Sequence, residues 1–171
     1  GLNNASIDSG VSTGVSGKIN EAYDLPNSNF NIVEINNSPD FQTNTFSVSV
    51  WMKTSVSDTN LYNYRYTPND DDAGHGLYID GNGEAFFIRV GDGSPAHIDT
   101  STVVSDGSWH HVVLTQDSDQ SGDFAAVYVD GVQVQNTTQT VANTFQNIAS
   151  TLTIGCQSND VQSGCNKRQY D

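Results

Sequence analysis

Hydrophobic and polar positions alternate over short runs along this chain, which is the pattern of half-buried β-strands. The clearest run is TFSVSVWMKT at residues 45–54, where Phe, Val, Val and Met occupy alternate positions. Two serines and Trp51 occupy the positions between them and therefore lie on the opposite face. No run keeps a helical period over several turns. The pattern predicts strands along the whole chain.

Turn residues separate these runs. GLYID and EAFFIRV flank the turn at residues 80–83, and WHHVVLTQ and FAAVYVDGVQV flank an Asp-rich loop, so two hairpins are expected. Another turn begins at Asp130-Gly131, and STLTIG ends at Gly155. Residues 1–17 are rich in Gly, Ser and Asn and read as loop. The sequence predicts one all-β domain over residues 1–171, an antiparallel β-sandwich of jelly-roll type.

The charge balance excludes several classes of partner. The 171 residues carry six basic and twenty acidic side chains, a net charge of −14. Nucleic acid needs clustered Lys and Arg, and an anionic membrane would repel this surface. No apolar run approaches the length of a membrane span. We expect a protein without nucleic-acid binding or membrane insertion.

Cysteines and sequons indicate an oxidising compartment. Cys156 and Cys165 enclose the polar stretch QSNDVQSG, so a local disulfide is the first expectation and a metal pair the alternative. Asn-x-Ser/Thr sequons at Asn4, Asn36 and Asn136 are compatible with secretion and glycosylation. An extracellular or cell-surface protein is predicted.

Two acidic loops are candidate calcium sites. Asp117, Asp119 and Asp123, with Ser121 between them and Gly122 at the turn, resemble the first half of a calcium loop, although its final glutamate is absent. The alternative is a solvated hairpin tip.

The second acidic loop is NDDDAGHG. Its carboxylates Asp70, Asp71 and Asp72 are adjacent and repel one another, so a cation would relieve the repulsion. A charged, solvated loop is the alternative. His75 in this loop and His97 are expected at the surface.

The stretch LYNYRYTP is the candidate sugar-binding segment. Tyr62, Tyr64 and Tyr66 alternate, with Arg65 between the last two, so one strand face would carry all three rings. A tyrosine offers an apolar ring and a polar tip, which suits a carbohydrate. Packing of the same face into the core is the alternative.

Four blocks resemble, in order, laminin G-like domains of the concanavalin A-like lectin/glucanase superfamily. They are GKINEAYDLPNSNFNIVEI, TFSVSVWMKT, DGSWHHVVLT followed by VYVDGVQV, and LTIGC. The resemblance spans roughly residues 17–156 and includes a likeness to pentraxins. It implies a jelly-roll fold with calcium at one rim of the sandwich. The residues at the corresponding rim positions are Asp71 or Asp72, together with Gln157, Asn159 and Asp160.

The resemblance also raises the question of catalysis, because the superfamily contains glycosidases. Those enzymes need two carboxylates flanking the scissile bond, but Glu21, Glu34 and Glu84 are isolated along the chain. In the WHH run at residues 109–111, Trp109 and His111 share one face and His110 points to the other. No nucleophile or carboxylate is evident beside them, so a structural role is expected. We predict a protein that is not an enzyme.

The sequence therefore predicts a recognition or adhesion module that binds a glycan or glycoprotein, with calcium as its ion. The alternative is a structural subunit that self-associates into filaments or a surface layer. Both ends of the chain look cut, and the family's first and last strands are not evident in the sequence. Strand exchange between copies would fill such open sheet edges. A divergent glycosidase is the third class.

Overall fold

A computed structural model of the chain describes residues 5–7, 10–26, 32–36, 43, 45–65, 74–91, 94–117, 124–137 and 151–155. Every regular element in these ranges is a strand. The strands are β1 (Ala5–Ile7), β2 (Ser12–Ser16), β3 (Glu21–Asp24), β4 (Val33–Ile35), β5 (Thr45–Lys53), β6 (Thr59–Arg65), β7 (Gly74–Ile79), β8 (Glu84–Gly91), β9 (Ser94–Val103), β10 (Trp109–Asp117), β11 (Phe124–Val129), β12 (Val132–Thr137) and β13 (Leu152–Ile154).

Two large antiparallel sheets and one hairpin make up the fold. One sheet has the order β1-β4-β13-β6-β7-β8-β9, the other has the order β12-β11-β10-β5, and β2 pairs with β3. Within the described ranges, no helix is long and apolar enough to cross a membrane. The predicted all-β, antiparallel architecture is confirmed.

The core lies between the two large sheets and takes side chains from both. Each fully buried Leu, Ile or Val in it stabilises the fold by about 1.5–3 kcal/mol relative to an exposed position. Its buried members are Met52, Tyr62, Leu77, Ile79, Ala85, Phe87, Ile98, Val104, Val112, Leu114, Ala125, Val127 and Val129.

Both hairpins predicted from turn residues are present. β7 and β8 pair across residues 80–83, where the Asp80 carboxylate accepts hydrogen bonds from the backbone N–H groups of Asn82 and Glu84 at 2.9 and 2.8 Å. β10 and β11 pair in the expected order. The β11–β12 turn consists of Asp130 and Gly131, both with positive φ, which is the two-residue turn that matches strand twist.

The first residues depart from the loop expectation. β1 pairs with β4, and β2 pairs with β3. β1 and β2 expose most of their side chains. Backbone hydrogen bonds therefore hold these two strands in their sheets, without a row of buried apolar side chains. A strand of this kind leaves no hydrophobic alternation in the sequence.

His75 is also not where the sequence predicted it. It lies in β7 with 4% of its surface exposed, and its ring stacks on Phe46 with centroids 4.4 Å apart. The Tyr62 hydroxyl and His75 Nδ1 are 2.9 Å apart. Burial, the largest cause, raises the pKa of Tyr62 well above its ordinary value, so this hydroxyl stays neutral. His97 is exposed, as expected.

Candidate functional site

The outer face of the four-stranded sheet carries an exposed aromatic cluster. Trp51 on β5 and His111 on β10 are direct cross-strand partners, and their rings stack with centroids 4.8 Å apart and 20° between planes. Ser49 Oγ lies 2.8 Å from His111 Nε2. Trp51 keeps 37% of its surface exposed. We call Ser49, Trp51, Trp109 and His111 the Trp51 face.

A lysine from the β2–β3 turn lies beside this face. Lys18 Nζ is 5.3 Å from the centroid of the Trp51 ring, within the range of a cation–π interaction. The turn is closed by the backbone hydrogen bond from Gly17 to Asn20 at 2.9 Å. The Trp51 face therefore combines an aromatic surface with a hydroxyl, an imidazole and an ammonium group, the mixed chemistry that a sugar ring requires.

His110 points away from the Trp51 face and joins two loops. Its Nδ1 is 2.8 Å from Asp130 Oδ2, and its Nε2 is 3.1 Å from Asp106 Oδ1. The Asp130 carboxylate also accepts the backbone N–H of His111 at 2.8 Å. The sequence predicted no carboxylate beside this histidine, and that prediction is wrong. The structural role expected for His110 agrees with this geometry, because both ring nitrogens are engaged.

The pKa of His110 follows from these contacts. Burial is the largest single effect and lowers the pKa, but the hydrogen bonds and charges of Asp130 and Asp106 outweigh it and raise the pKa above 6.5. The pKa of Asp106 lies below 3.8, chiefly because its carboxylate accepts the backbone N–H of Ser108 and secondly because it accepts a hydrogen bond from His110. The pKa of Asp130 is also below 3.8, chiefly because of the backbone N–H of His111 and secondly because of the hydrogen bond from His110. Only the imidazolium can donate to both carboxylates at once.

We expect this clamp to stabilise the fold most in mild acid. Because the pKa of His110 is raised in the folded state, its contribution to the free energy of unfolding is complete below the unfolded pKa of about 6.5. That contribution is lost as the pH rises through the folded pKa. Because the pKa values of Asp106 and Asp130 are lowered, both carboxylates stay charged and keep this contribution until the pH falls below about 4. Thermal unfolding should therefore show His110→Gln furthest below wild type near about pH 5, with the gap narrowing as the pH rises above about 6.5.

The matched control for the clamp is His97→Gln, because His97 is an exposed histidine on β9. It should track the wild-type melting temperature at every pH. A gap between wild type and His110→Gln that stays constant with pH would contradict the charged clamp.

On the outer face of the seven-stranded sheet, the described side chains around Asn63 and Tyr78 are buried, unlike the Trp51 face. Asn63 and Thr153 are cross-strand partners and fully buried. Neither amide atom of Asn63 has a hydrogen-bond partner in the described part of the chain. The Tyr78 ring stacks on Phe86 with centroids 5.1 Å apart, and the two residues are 2% and 8% exposed. These rings cannot present a face to a sugar in this structure.

The predicted tyrosine platform is wrong for the two tyrosines that the structure describes. Tyr62 and Tyr64 are 5% and 0% exposed and lie on the core side of β6, around His75. Their alternation reflects packing, which was the alternative interpretation. The Arg65 side chain and Tyr66 lie outside the described residues.

The predicted calcium ligands fall almost entirely outside the described residues. Asp117 is the exception: it ends β10, is exposed, and accepts a hydrogen bond from the Thr45 hydroxyl at 3.1 Å. In the described part of the chain, no three His, Cys, Asp or Glu side chains come together in a group that could hold a metal ion. The remaining predicted ligands are Asp70, Asp71, Asp72, Asp119, Asp123, Gln157, Asn159 and Asp160.

The modification sites are described in part. Asn36, next to β4, and Asn136 on β12 are both exposed, as an acceptor for a glycan must be. Asn4 and the two cysteines, Cys156 and Cys165, lie outside the described residues.

Sequence reasoning placed Trp51 on the correct face but did not treat it as a binding residue. The signal was present, because a tryptophan between Ser49 and Lys53 on the polar side of an alternating strand has no core position to fill. A large exposed aromatic residue of this kind is a common anchor of binding surfaces.

The family comparison extends over most of the chain. Residues 27–166 match the Laminin_G_3 family, described as the Concanavalin A-like lectin/glucanases superfamily. A search of curated proteins finds no match.

Solved structures show the same fold. Domain 4 of AbnA, a GH43 extracellular arabinanase from Geobacillus stearothermophilus solved with arabinotriose, has 20% identity and a TM-score of 0.64 over 84% of this chain and 65% of that chain. The CBM40 of the Ruminococcus gnavus IT-sialidase has 16% identity and a TM-score of 0.58 over 70% and 68%. Domains LG4-5 of the mouse laminin alpha1 chain have 19% identity and a TM-score of 0.57 over 89% and 36%.

This chain thus spans about two thirds of the arabinanase domain and about a third of the laminin fragment. The resemblance stated from the four sequence blocks is confirmed by the family match and by the laminin structure. The chain belongs to the laminin G-like family of the concanavalin A-like lectin/glucanase superfamily.

Proposed function

We propose that this domain is a non-catalytic, extracellular module that binds carbohydrate through the Trp51 face. The observation that carries the proposal is the exposed Trp51 ring, stacked on His111 and flanked by Ser49 and Lys18. An aromatic ring packs against the apolar face of a sugar, and the surrounding polar groups bind its hydroxyls.

The similar structures support this proposal. The arabinanase domain was solved with arabinotriose. That arabinanase is named as an extracellular enzyme, and a second similar structure is the CBM40 of a sialidase. Because one scaffold hosts many roles, the residues of the Trp51 face carry the argument rather than the fold.

The placement of the glutamates supports a role without catalysis. A glycosidase holds its two carboxyl groups about 5–9.5 Å apart across one cleft. Here Glu21, Glu34 and Glu84 lie on β3, β4 and β8, which are not adjacent strands in any sheet. The pair that the superfamily's enzymes use has no counterpart among these residues.

The test of the proposed function is a binding survey. Labelled domain is applied to an immobilised panel of plant, microbial and animal glycans, and hits are titrated by calorimetry. Wild type should bind a defined subset, and Trp51→Ala should lose those signals. No binding to any glycan would overturn the proposal.

Calcium at the rim remains part of the proposal. The ligands would be Asp71 or Asp72 with Asn159 and Asp160, and the Asp117–Asp123 loop is the alternative site. At a free calcium concentration about a hundred times the Kd, the unfolding free energy should rise by about 2.7 kcal/mol and fall again in EDTA. The double variant Asp71→Asn/Asp72→Asn should abolish this shift, and Asp117→Asn should leave it. An identical melting temperature in calcium and EDTA would exclude a resident calcium.

The filament alternative remains a prediction without a specific structural observation in its favour. β1 pairs with β4 of its own chain. A free sheet edge filled by another copy would appear as large assemblies in light scattering.

A further inference from the structure

Strand β5 forms one edge of the four-stranded sheet, with β10 as its neighbour on one side. No strand among the described residues pairs with its other side. The inward-facing side chains Phe46, Val48 and Val50 are only half-buried, although their cross-strand partners on β10 are between 0% and 4% exposed. The apolar core is therefore open along β5 and sealed one strand further in.

The sequence of β5 does not protect this edge. Natural edge strands avoid pairing with other chains because they are short, bulged, interrupted by proline or charged along their length. β5 is nine residues long and contains no proline, and it pairs with β10 without a register shift. Its one charged side chain is Lys53, at the last position. In a chain with a net charge of −14, no carboxylate on this strand opposes the approach of another strand.

The charges at the two ends of β5 indicate which strand fits this edge. At its start, the Thr45 hydroxyl donates a hydrogen bond to the carboxylate of Asp117 at 3.1 Å, so a negative charge lies beside that end. At its finish, Lys53 supplies a positive charge, and both charged side chains are exposed. Antiparallel strands place the start of one opposite the finish of the other. β5 is thus complementary in charge to an antiparallel copy of itself.

We infer that two copies of this chain associate about a two-fold axis, with their β5 strands paired antiparallel so that two four-stranded sheets become one eight-stranded sheet. The register that pairs all nine residues is centred on Ser49. In this register Lys53 lies opposite Thr45 of the second copy, whose cross-strand partner is Asp117. The Cα atoms of the lysine and that aspartate are then about 10 Å apart, a distance that the long lysine stem and the carboxylate can close.

The same register completes the open side of both cores. It places Val48 of one copy against Val50 of the other, and Phe46 against Met52, on the inward face of the joined sheet. Because each copy offers this edge once, two-fold pairing stops at two copies and differs from a filament. The inference does not depend on carbohydrate binding. It does place the two Trp51 residues on one continuous face, with Cα atoms about 14 Å apart.

The test is sedimentation velocity of the full chain over a dilution series at about 0.15 M salt. Wild type should form a dimer that dissociates on dilution. Lys53→Asp and Asp117→Lys should each raise the dissociation constant about tenfold or more, because each turns two attractions per dimer into repulsions. The double variant Lys53→Asp/Asp117→Lys restores opposite charges and should recover most of the affinity. The control is Val132→Lys, an exposed position on β12 at the opposite edge of the sheet, which should dimerise as wild type does.

Hydrogen exchange gives a second readout at the edge itself. The outward amides of β5 should be protected at concentrations where the dimer forms and should exchange faster in the dilute monomer. A monomer at every concentration would overturn the inference. Protection of β5 that does not change with dilution would also overturn it, because a segment of the same chain would then cover the edge. A dimer that ignores both charge reversals would show that the two copies meet at another surface, and large assemblies would contradict two-fold closure.

Discussion

Replacing Trp51 with alanine is expected to weaken glycan binding about thirtyfold or more, which corresponds to about 2 kcal/mol. The indole is the large exposed ring of the Trp51 face, and it also orders the groups around it. His111 stacks on it, and Lys18 lies beside it. Its removal deletes the apolar contact with the sugar and frees both polar neighbours. Calorimetric titration of the best glycan from the panel measures the change.

Tyr23→Ala is the matched control, because Tyr23 on β3 is also an exposed aromatic residue, with 51% of its surface accessible. It should bind as wild type does. Trp51→Ala should remain folded, since the ring is partly exposed and its two contacts are worth about 1 kcal/mol each. A folded Trp51→Ala domain with wild-type affinity would contradict the assignment of the site.

The second large effect is expected at Gly76. A Cβ at this position would lie 2.5 Å from Tyr78 Oη and 2.6 Å from two carbons of the same ring. The ring cannot give way easily, because it is buried and stacked on Phe86. Gly76→Ala should therefore lower the unfolding free energy by about 3 kcal/mol, the upper part of the range for overpacking. Denaturant unfolding measures the loss.

A double-mutant cycle separates this clash from a general cost of losing glycine. In a Tyr78→Ala background the space is open, and alanine restricts the unfolded chain more than glycine does. Gly76→Ala should then cost less than about 1 kcal/mol or stabilise the domain. An equal cost in both backgrounds would show that the ring of Tyr78 is not the cause.

Alternation in the sequence determined which residues share a face, because the period of two is a property of the strand itself. It separated Trp51 from Met52 correctly, and it separated His110 from its neighbours on β10. The turn at Asp130-Gly131 was equally readable, since positive φ at two successive positions favours this pair of residues.

Alternation could not say which face meets the core. Tyr62 and Tyr64 share a face as predicted, but that face packs inward around His75. A buried tyrosine needs a partner for its hydroxyl, and the partner of Tyr62 lies thirteen residues away on the next strand. Only the pairing of β6 with β7 brings the two together.

The environment of His110 was unpredictable for a related reason. Asp106 is four residues away, but Asp130 is twenty residues away and reaches the imidazole only because β10 pairs with β11. The lysines beside Trp51 follow the same rule. Lys53 is on the same strand as the tryptophan, whereas Lys18 arrives from a separate hairpin.

The most direct test of carbohydrate binding at the Trp51 face is intrinsic tryptophan fluorescence during glycan titration. The chain has two tryptophans, Trp51 and Trp109, and both lie on this face by the register of β5 and β10. We predict that the glycan changes the tryptophan emission of wild type and of Trp109→Phe, and that the Kd from this titration equals the Kd found by calorimetry. In Trp51→Phe, most of the emission change should be lost. Binding recorded by calorimetry with no change in emission from either tryptophan would contradict the account.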